Sequence, residues 1–430
     1  MTVAALPERF HARPLPSGVH PAAWAACAAV ALLMVFPAAS GAILAVLALW
    51  GIGLLLREGA LSRPERQFGL VCLLLPAAVA FNMAQTGWAF HLLDRPMHLI
   101  YAAFVALLLA RRGLGLRPFV AAVILAALAA GGVALVEGVW LDHGRVHGLD
   151  GRWNAVPFGN FALLLGCLGL AGGLALARDE RAGRWWLLGG VAALGSAGLA
   201  SILSSTRGGW ITLPVLLLVA SLARRDFRRS ARLALVAAVL AIAAAGYHLS
   251  PQVQGRVGDA IANVSRFVEA PDALDSMENA TGIRLAMWRW GLARFAESPW
   301  QGVGYANYAQ RRAESVERGE LPAHFNDLAN LHNEIISSLA FAGLPGGIAL
   351  LAFWALALRF FASRLGRGDD PASRYFATAG LLVVVGTALF SMTEGLLGTR
   401  SGTYGFALLL ALPAAALMAR ERALCDGEGS

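Results

Sequence analysis

Four short stretches combine residue types that could do chemistry. Ser204-Ser205-Thr206-Arg207-Gly208-Gly209-Trp210 sets hydroxyls, glycines and a cation at the start of an apolar run. Free N–H groups at a helix start and a guanidinium fork are anion-binding chemistry. The alternative is an N-cap whose arginine reaches for the membrane surface. Residues 283–296 read as an amphipathic helix with Arg284 and Trp288 at helical spacing and Trp290 and Phe295 nearby. Such a helix beside a membrane is expected at the interface, where Arg284 or Arg289 could still point at a phosphate. A Pro/Gly-rich turn carrying Tyr305 follows at 297–308. No strand precedes it, so it is not a dinucleotide fingerprint. Finally, Leu331-His332-Asn333-Glu334 opens the next apolar run. A histidine there is either a cap or hydrogen-bonding residue, or a base that titrates near neutrality. His324 is a weaker candidate. His143 and His147 have metal-compatible spacing, but Gly144 and Gly148 place them in a loop. The same side shows no acidic pair for a divalent metal; Asp369-Asp370 falls on the other.

The elements that must position these residues are legible in the composition. Of 430 residues, 57% are hydrophobic and 14% are charged, against about 25% charged in soluble domains. The apolar runs are long and do not alternate, which excludes a barrel and leaves helices. The expected fold is all-α, a polytopic membrane protein with about a dozen spans near 21–38, 40–56, 67–85, 97–110, 118–136, 157–177, 185–202, 210–223, 231–247, 333–358, 375–391 and 402–419. Gly343, Pro345, Gly346 and Gly347 predict a kink or break in the tenth. The first run lacks a convincing cleavage site and reads as a retained helix. Three regions follow: 1–247 with nine helices, a large loop at 248–332, and 333–430 with three helices and a short tail.

All 35 basic residues are arginine, so lysine chemistry is excluded. Cys27, Cys72, Cys167 and Cys425 show no metal spacing and no obvious disulfide pair. The arginines alternate by side. One set of loops holds Arg57, Arg63 and Arg66; Arg111, Arg112 and Arg117; Arg178, Arg181 and Arg184; Arg224, Arg225, Arg228, Arg229 and Arg232; and Arg359, Arg364, Arg367 and Arg374. Short loops on the other side hold only Arg95, Arg145, Arg152, Arg207 and Arg400. The positive-inside rule makes the rich side cytoplasmic, puts both termini there and makes 248–332 periplasmic. The net charge of +8 then reflects topology and anionic-lipid contact rather than nucleic acid. Arg145 and Arg152, in a loop with Trp140 and Trp153, suit either anionic sugars or anchoring at the membrane surface.

Taken in order, Ser205-Thr206-Arg207-Gly208-Gly209-Trp210, then Arg284 to Trp288 running into Pro299-Trp300-Gln301-Gly302-Val303-Gly304, then His332-Asn333 opening a Gly-rich helix, resemble the bacterial O-antigen ligase/polymerase superfamily. The helix count and the late large loop extend the likeness over essentially the whole chain. Within the superfamily the pattern is most similar to the lipopolysaccharide O-antigen ligases. That resemblance implies a GT-C-like glycosyltransferase in the bacterial inner membrane. It would move a glycan from undecaprenyl diphosphate to a lipid A–core hydroxyl on the periplasmic face, without cofactor, metal or nucleotide. The roles that follow are His332 as base and Arg207 and Arg284 at the leaving diphosphate. Arg289, Arg145, Arg152, Trp288, Asn333 and Tyr305 are the candidate substrate-binding residues. Glu334 could orient His332, although two residues along a helix do not share a face. O-antigen polymerases and protein O-oligosaccharyltransferases share the motifs. Many of the latter have an additional C-terminal region, whereas this chain ends soon after its last helix. A lipid-linked glycan transporter or flippase is the rival from another class. Its support is the helix count and the glycine-broken helix, while the scarcity of charges inside the spans counts against it.

Overall fold

In a computed structural model the chain is helical throughout, with no strand among the described residues. The structure describes residues 20–428 except 150, 178–181, 227, 250, 272, 329 and 367–369. Side chains at 207, at scattered positions from 235 to 275 and beyond 424 also fall outside the description. Residues 1–19 and the loop arginines Arg178, Arg181 and Arg367 therefore lie outside it.

Fifteen helices are described: α1 (Pro21–Leu32), α2 (Pro37–Glu58), α3 (Arg63–Thr86), α4 (Asp94–Arg112), α5 (Leu116–Leu135), α6 (Ala155–Leu176), α7 (Gly183–Leu203) and α8 (Arg207–Ala220), followed by α9 (Arg229–Leu249), α10 (Pro251–Glu269), α11 (Ala280–Glu297), α12 (Tyr308–Glu317), α13 (Glu334–Ala362), α14 (Pro371–Phe390) and α15 (Arg400–Glu428). Nine segments among the described residues are long and apolar enough to cross a membrane, namely α2–α7 and α13–α15, with α4 and α5 extended by a short turn. α1 and the α8 segment are apolar but shorter. The expected ninth span, 231–247, falls on α9, many of whose side chains lie outside the described residues.

Several spans begin with helix-starting residues: Pro21, Pro37 and Pro371 open α1, α2 and α14, and Ser62 and Glu65 form a reciprocal capping box on α3. α6 and α15 are the most enclosed. Small residues let α7 approach α6 closely: a Cβ at Gly166 would stand 2.6 Å from that of Ala197. Ion pairs gather at the arginine-rich end. Arg111 bridges Glu58 at 2.9 Å and Glu65 at 3.3 Å, Arg364 meets Glu421 at 2.9 Å, and Arg420 meets Asp370 at 3.0 Å.

The expected break in the tenth span is present at Gly343, whose φ of 62° and ψ of −156° suit glycine alone. The backbone groups it frees are taken up by the loop after α11. The Val303 and Gly304 N–H groups donate to the Ala340 and Phe341 carbonyls, and the Leu344 N–H donates to the Pro299 carbonyl. The end of α3 holds the same loop. Asn82 donates to the Gln301 carbonyl and accepts from the Tyr305 N–H, while Asn307 donates to the Thr86 carbonyl.

α11 packs its tryptophans against a protein core. Residues 267–341 build a second hydrophobic cluster around Met287, Trp290, Tyr308, Phe325 and Phe341. Trp290 is buried and donates through Nε1 to Ser315. A segment this long can assemble its own core, and tryptophans inside that core are removed from water more completely than at a headgroup layer.

Candidate active site

The site is built where α13 begins. Asn333 caps α13, accepting from the Ile335 and Ile336 N–H groups, and its amide donates to the Met392 carbonyl. The Glu334 N–H donates to the Ser391 carbonyl. Asn333, a candidate binding residue, is thus buried and occupied in joining the start of α13 to the loop after α14. His332 sits just before the cap with φ of 49°, a left-handed conformation costing about 1–3 kcal/mol outside glycine. Three contacts hold the corner. The His332 N–H donates to Asn330 Oδ1, Trp288 Nε1 donates to the Leu331 carbonyl, and a Cβ at Gly395 would stand 2.6 Å from Asn330 Cγ.

The imidazole has a partner that sequence reasoning missed. Glu394, 2% exposed, places Oε1 2.9 Å from His332 Nδ1. A carboxylate only accepts, so Nδ1 carries the hydrogen, and in the neutral ring Nε2 keeps the lone pair. Glu334 does not fill this role. It lines a cavity of about 140 Å³ with Asn330, Arg95 and Tyr305 among largely apolar walls. Burial, helped by the Glu334 carboxyl, pushes the Tyr305 phenol above its ordinary range, which makes it a neutral donor.

Arg284 lies one helical turn before Trp288, on the same face of α11. Gly291 continues that face, and a Cβ there would stand 2.5 Å from Leu331 Cδ1. The Arg284 Nε is buried with no hydrogen-bond partner among the described residues. An orphaned charged donor is costly, and an anion would satisfy it. Arg289 is exposed on the same helix.

The Ser204–Thr206 turn reaches the site from the other side. Ser205 is left-handed, with φ of 56°. Thr206 Oγ1 donates to the Ala155 carbonyl instead of capping α8, leaving that N-terminus without a side-chain cap. A Cβ at Gly208 would stand 2.7 Å from Thr393 Oγ1, so the start of α8 abuts the residue preceding Glu394. α8 begins at Arg207, whose side chain lies outside the described residues.

Arg145 and Arg152 are bound to the framework. Arg145 Nε donates to the Ser204 carbonyl at 3.0 Å. Arg152 donates to the Val35 carbonyl and lies over the Phe36 ring. Trp153 is buried against Phe161, whereas Trp140 is exposed. No group of three or more His, Cys, Asp or Glu side chains able to hold a metal ion occurs among the described residues.

A multi-pass helical bundle with a histidine–carboxylate pair at the start of α13, the uncapped start of α8 against the same loop, and an unpartnered Arg284 Nε on the helix whose Trp288 holds Leu331 defines the class: a polytopic membrane protein with a polar site. Residues 191–351 match the model of the family described as O-antigen ligase, a match that supports placement in the O-antigen ligase/polymerase superfamily. The matched segment contains Arg207, Arg284 and His332; Glu394 lies beyond it. The chain is also 23% identical over 206 residues to a protein of Haemophilus influenzae described only as uncharacterized, covering 47% of this chain and about half of that relative, 50%.

Proposed function

We propose that the protein is an inner-membrane O-antigen ligase, transferring a glycan from undecaprenyl diphosphate to a lipid A–core hydroxyl at the periplasmic face. The observation that carries this is the His332–Glu394 pair at the start of α13, supported by the unpartnered Nε of Arg284 on the helix whose Trp288 holds the Leu331 carbonyl. The acceptor oxygen attacks the anomeric carbon while its proton passes to His332 Nε2. The bond from that carbon to the diphosphate oxygen breaks, and the electron pair leaves with the diphosphate. A single displacement inverts the anomeric configuration. Glu394 holds the productive tautomer and stabilises the imidazolium that forms, the part a carboxylate plays beside a catalytic histidine elsewhere. Arg284, Arg207 and the N–H groups at the start of α8 neutralise the leaving diphosphate. Permanent charge and bidentate geometry let guanidinium groups meet that need without a divalent ion.

The test is transfer by the purified protein in detergent with undecaprenyl-diphosphate glycan, lipid A–core and EDTA, beside His332→Ala. Glycan on lipid A–core with the wild type alone is the expected result. Longer carrier-linked chains with no modified acceptor would make the protein a polymerase. No glycosidic product, with an authentic ligase active in the same mixture, would remove the transferase reading in favour of transport.

A further inference from the structure

We propose that the arginine-rich end of the bundle carries a binding site for one anionic phospholipid, its phosphate held between Arg63, Arg359 and Arg364. A cavity of about 560 Å³ lies there between α3 and α13, at the end of α13 remote from His332, closed on one side by Glu421 of α15. Arg364, 5% exposed, is fixed at its base: it donates to the Phe360 carbonyl at 2.8 Å and to Glu421 at 2.9 Å, with its guanidinium 3.8 Å above the Phe360 ring. Its Nε is buried with no hydrogen-bond partner among the described residues. Arg63 and Arg359 are exposed at the rim and make no ion pair among the described residues. Three guanidinium groups therefore face one carboxylate, which Arg364 already occupies.

The remaining walls decide the occupant. Leu70, Val71, Leu74, Leu356 and Phe360 line the same cavity, and Leu70 and Leu356 are exposed on the outer faces of spanning helices. A small hydrophilic anion would leave this apolar wall wet. An anionic glycerophospholipid matches both halves, with its phosphate on the arginines and an acyl chain along the leucines. Gln67 and Ser363 offer further polar groups toward the headgroup.

The experiment is native mass spectrometry of the full-length protein in detergent, titrated with phosphatidylglycerol, with phosphatidylcholine of matched chains, and with inorganic phosphate. Wild type is expected to hold one phosphatidylglycerol about tenfold or more tighter than phosphatidylcholine. Arg63→Gln/Arg359→Gln should bring the two lipids level, while Arg57→Gln/Arg184→Gln, which removes equal charge elsewhere at that end, should not. Arg359→Gln alone should give an intermediate loss, and all variants should keep the wild-type melting temperature. Unchanged phosphatidylglycerol binding in the Arg63/Arg359 variant would overturn the site. Equal loss in the Arg57/Arg184 variant would reduce it to general surface charge. Displacement of the lipid by inorganic phosphate at equal concentration would make it a free-anion site.

Discussion

Glu394→Gln keeps the size and shape of the side chain and removes one charge. In the wild type the Glu394 carboxyl is 2% exposed and 2.9 Å from His332 Nδ1. In the proposed transfer the acceptor proton passes to Nε2, and the ring becomes an imidazolium facing that carboxylate. Two unit charges about 4 Å apart attract by about 4 kcal/mol at an effective dielectric of ~20. With about 1.4 kcal/mol per factor of ten in rate, that loss alone is roughly 10³ in kcat. The carboxamide also offers its NH₂ to Nδ1, which favours the tautomer with hydrogen on Nε2 and blocks the base. The expected outcome is a fall in kcat of about 10²–10⁴, with the KM for the lipid-linked donor little changed. Glu394→Asp should recover part of the rate. Initial rates of glycan transfer at saturating and limiting donor separate the two constants. A kcat within about threefold of wild type, in a protein that still requires His332, would refute the orienting role of Glu394. A rise in KM alone would assign it to donor binding instead.

Three further outcomes follow from the same geometry. Arg284→Lys keeps the charge but loses the fork and the buried Nε, so kcat/KM should drop about tenfold or more; wild-type transfer rates would detach Arg284 from the diphosphate. Asn333→Ala removes the α13 cap and the bond to the Met392 carbonyl. It should cost about 1–2 kcal/mol of stability, read as a lower melting temperature, and slow transfer by loosening the loop that carries Glu394. Gly343→Ala puts a side chain at φ of 62°, where its Cβ would stand 2.5 Å from the Pro299 carbonyl oxygen. It should lower the detergent melting temperature by the equivalent of about 1–3 kcal/mol or more, and an unchanged melting curve would mean that the break is not strained.

The bundle was legible because lipid as solvent leaves so few options: long apolar runs must be helices, and arginines sort to one end. The break in α13 was legible for a similarly local reason, since Gly343 and Pro345 act on their own backbone. His332 stood out because it begins a span after a long polar segment. Its partner did not, because Glu394 is 62 residues away and meets His332 only once α13 and α14 are packed. The one available hint was a carboxylate in a short loop between two spans. The tryptophans of α11 were ambiguous because an apolar helix face can turn to lipid or to a protein core, and its periodicity is the same in both. Arg145 and Arg152 were equally ambiguous. Nothing in their spacing foretold that one would hold the Ser204 turn and the other the corner between α1 and α2.

The splice between the 299–304 loop and the break in α13 bears on how the chain is made. Translation runs from the N-terminus, so residues 299–304 are synthesised before residues 340–344 and must wait for them. Until they meet, the Ala340 and Phe341 carbonyls and the Leu344 N–H lack the partners they have in the finished protein. Each such group in hydrocarbon costs several kcal/mol. A lobe that fails to fold thus leaves these groups of α13 without the partners they have in the finished protein. Folding of the second hydrophobic cluster and completion of α13 are thereby coupled through the same few backbone hydrogen bonds.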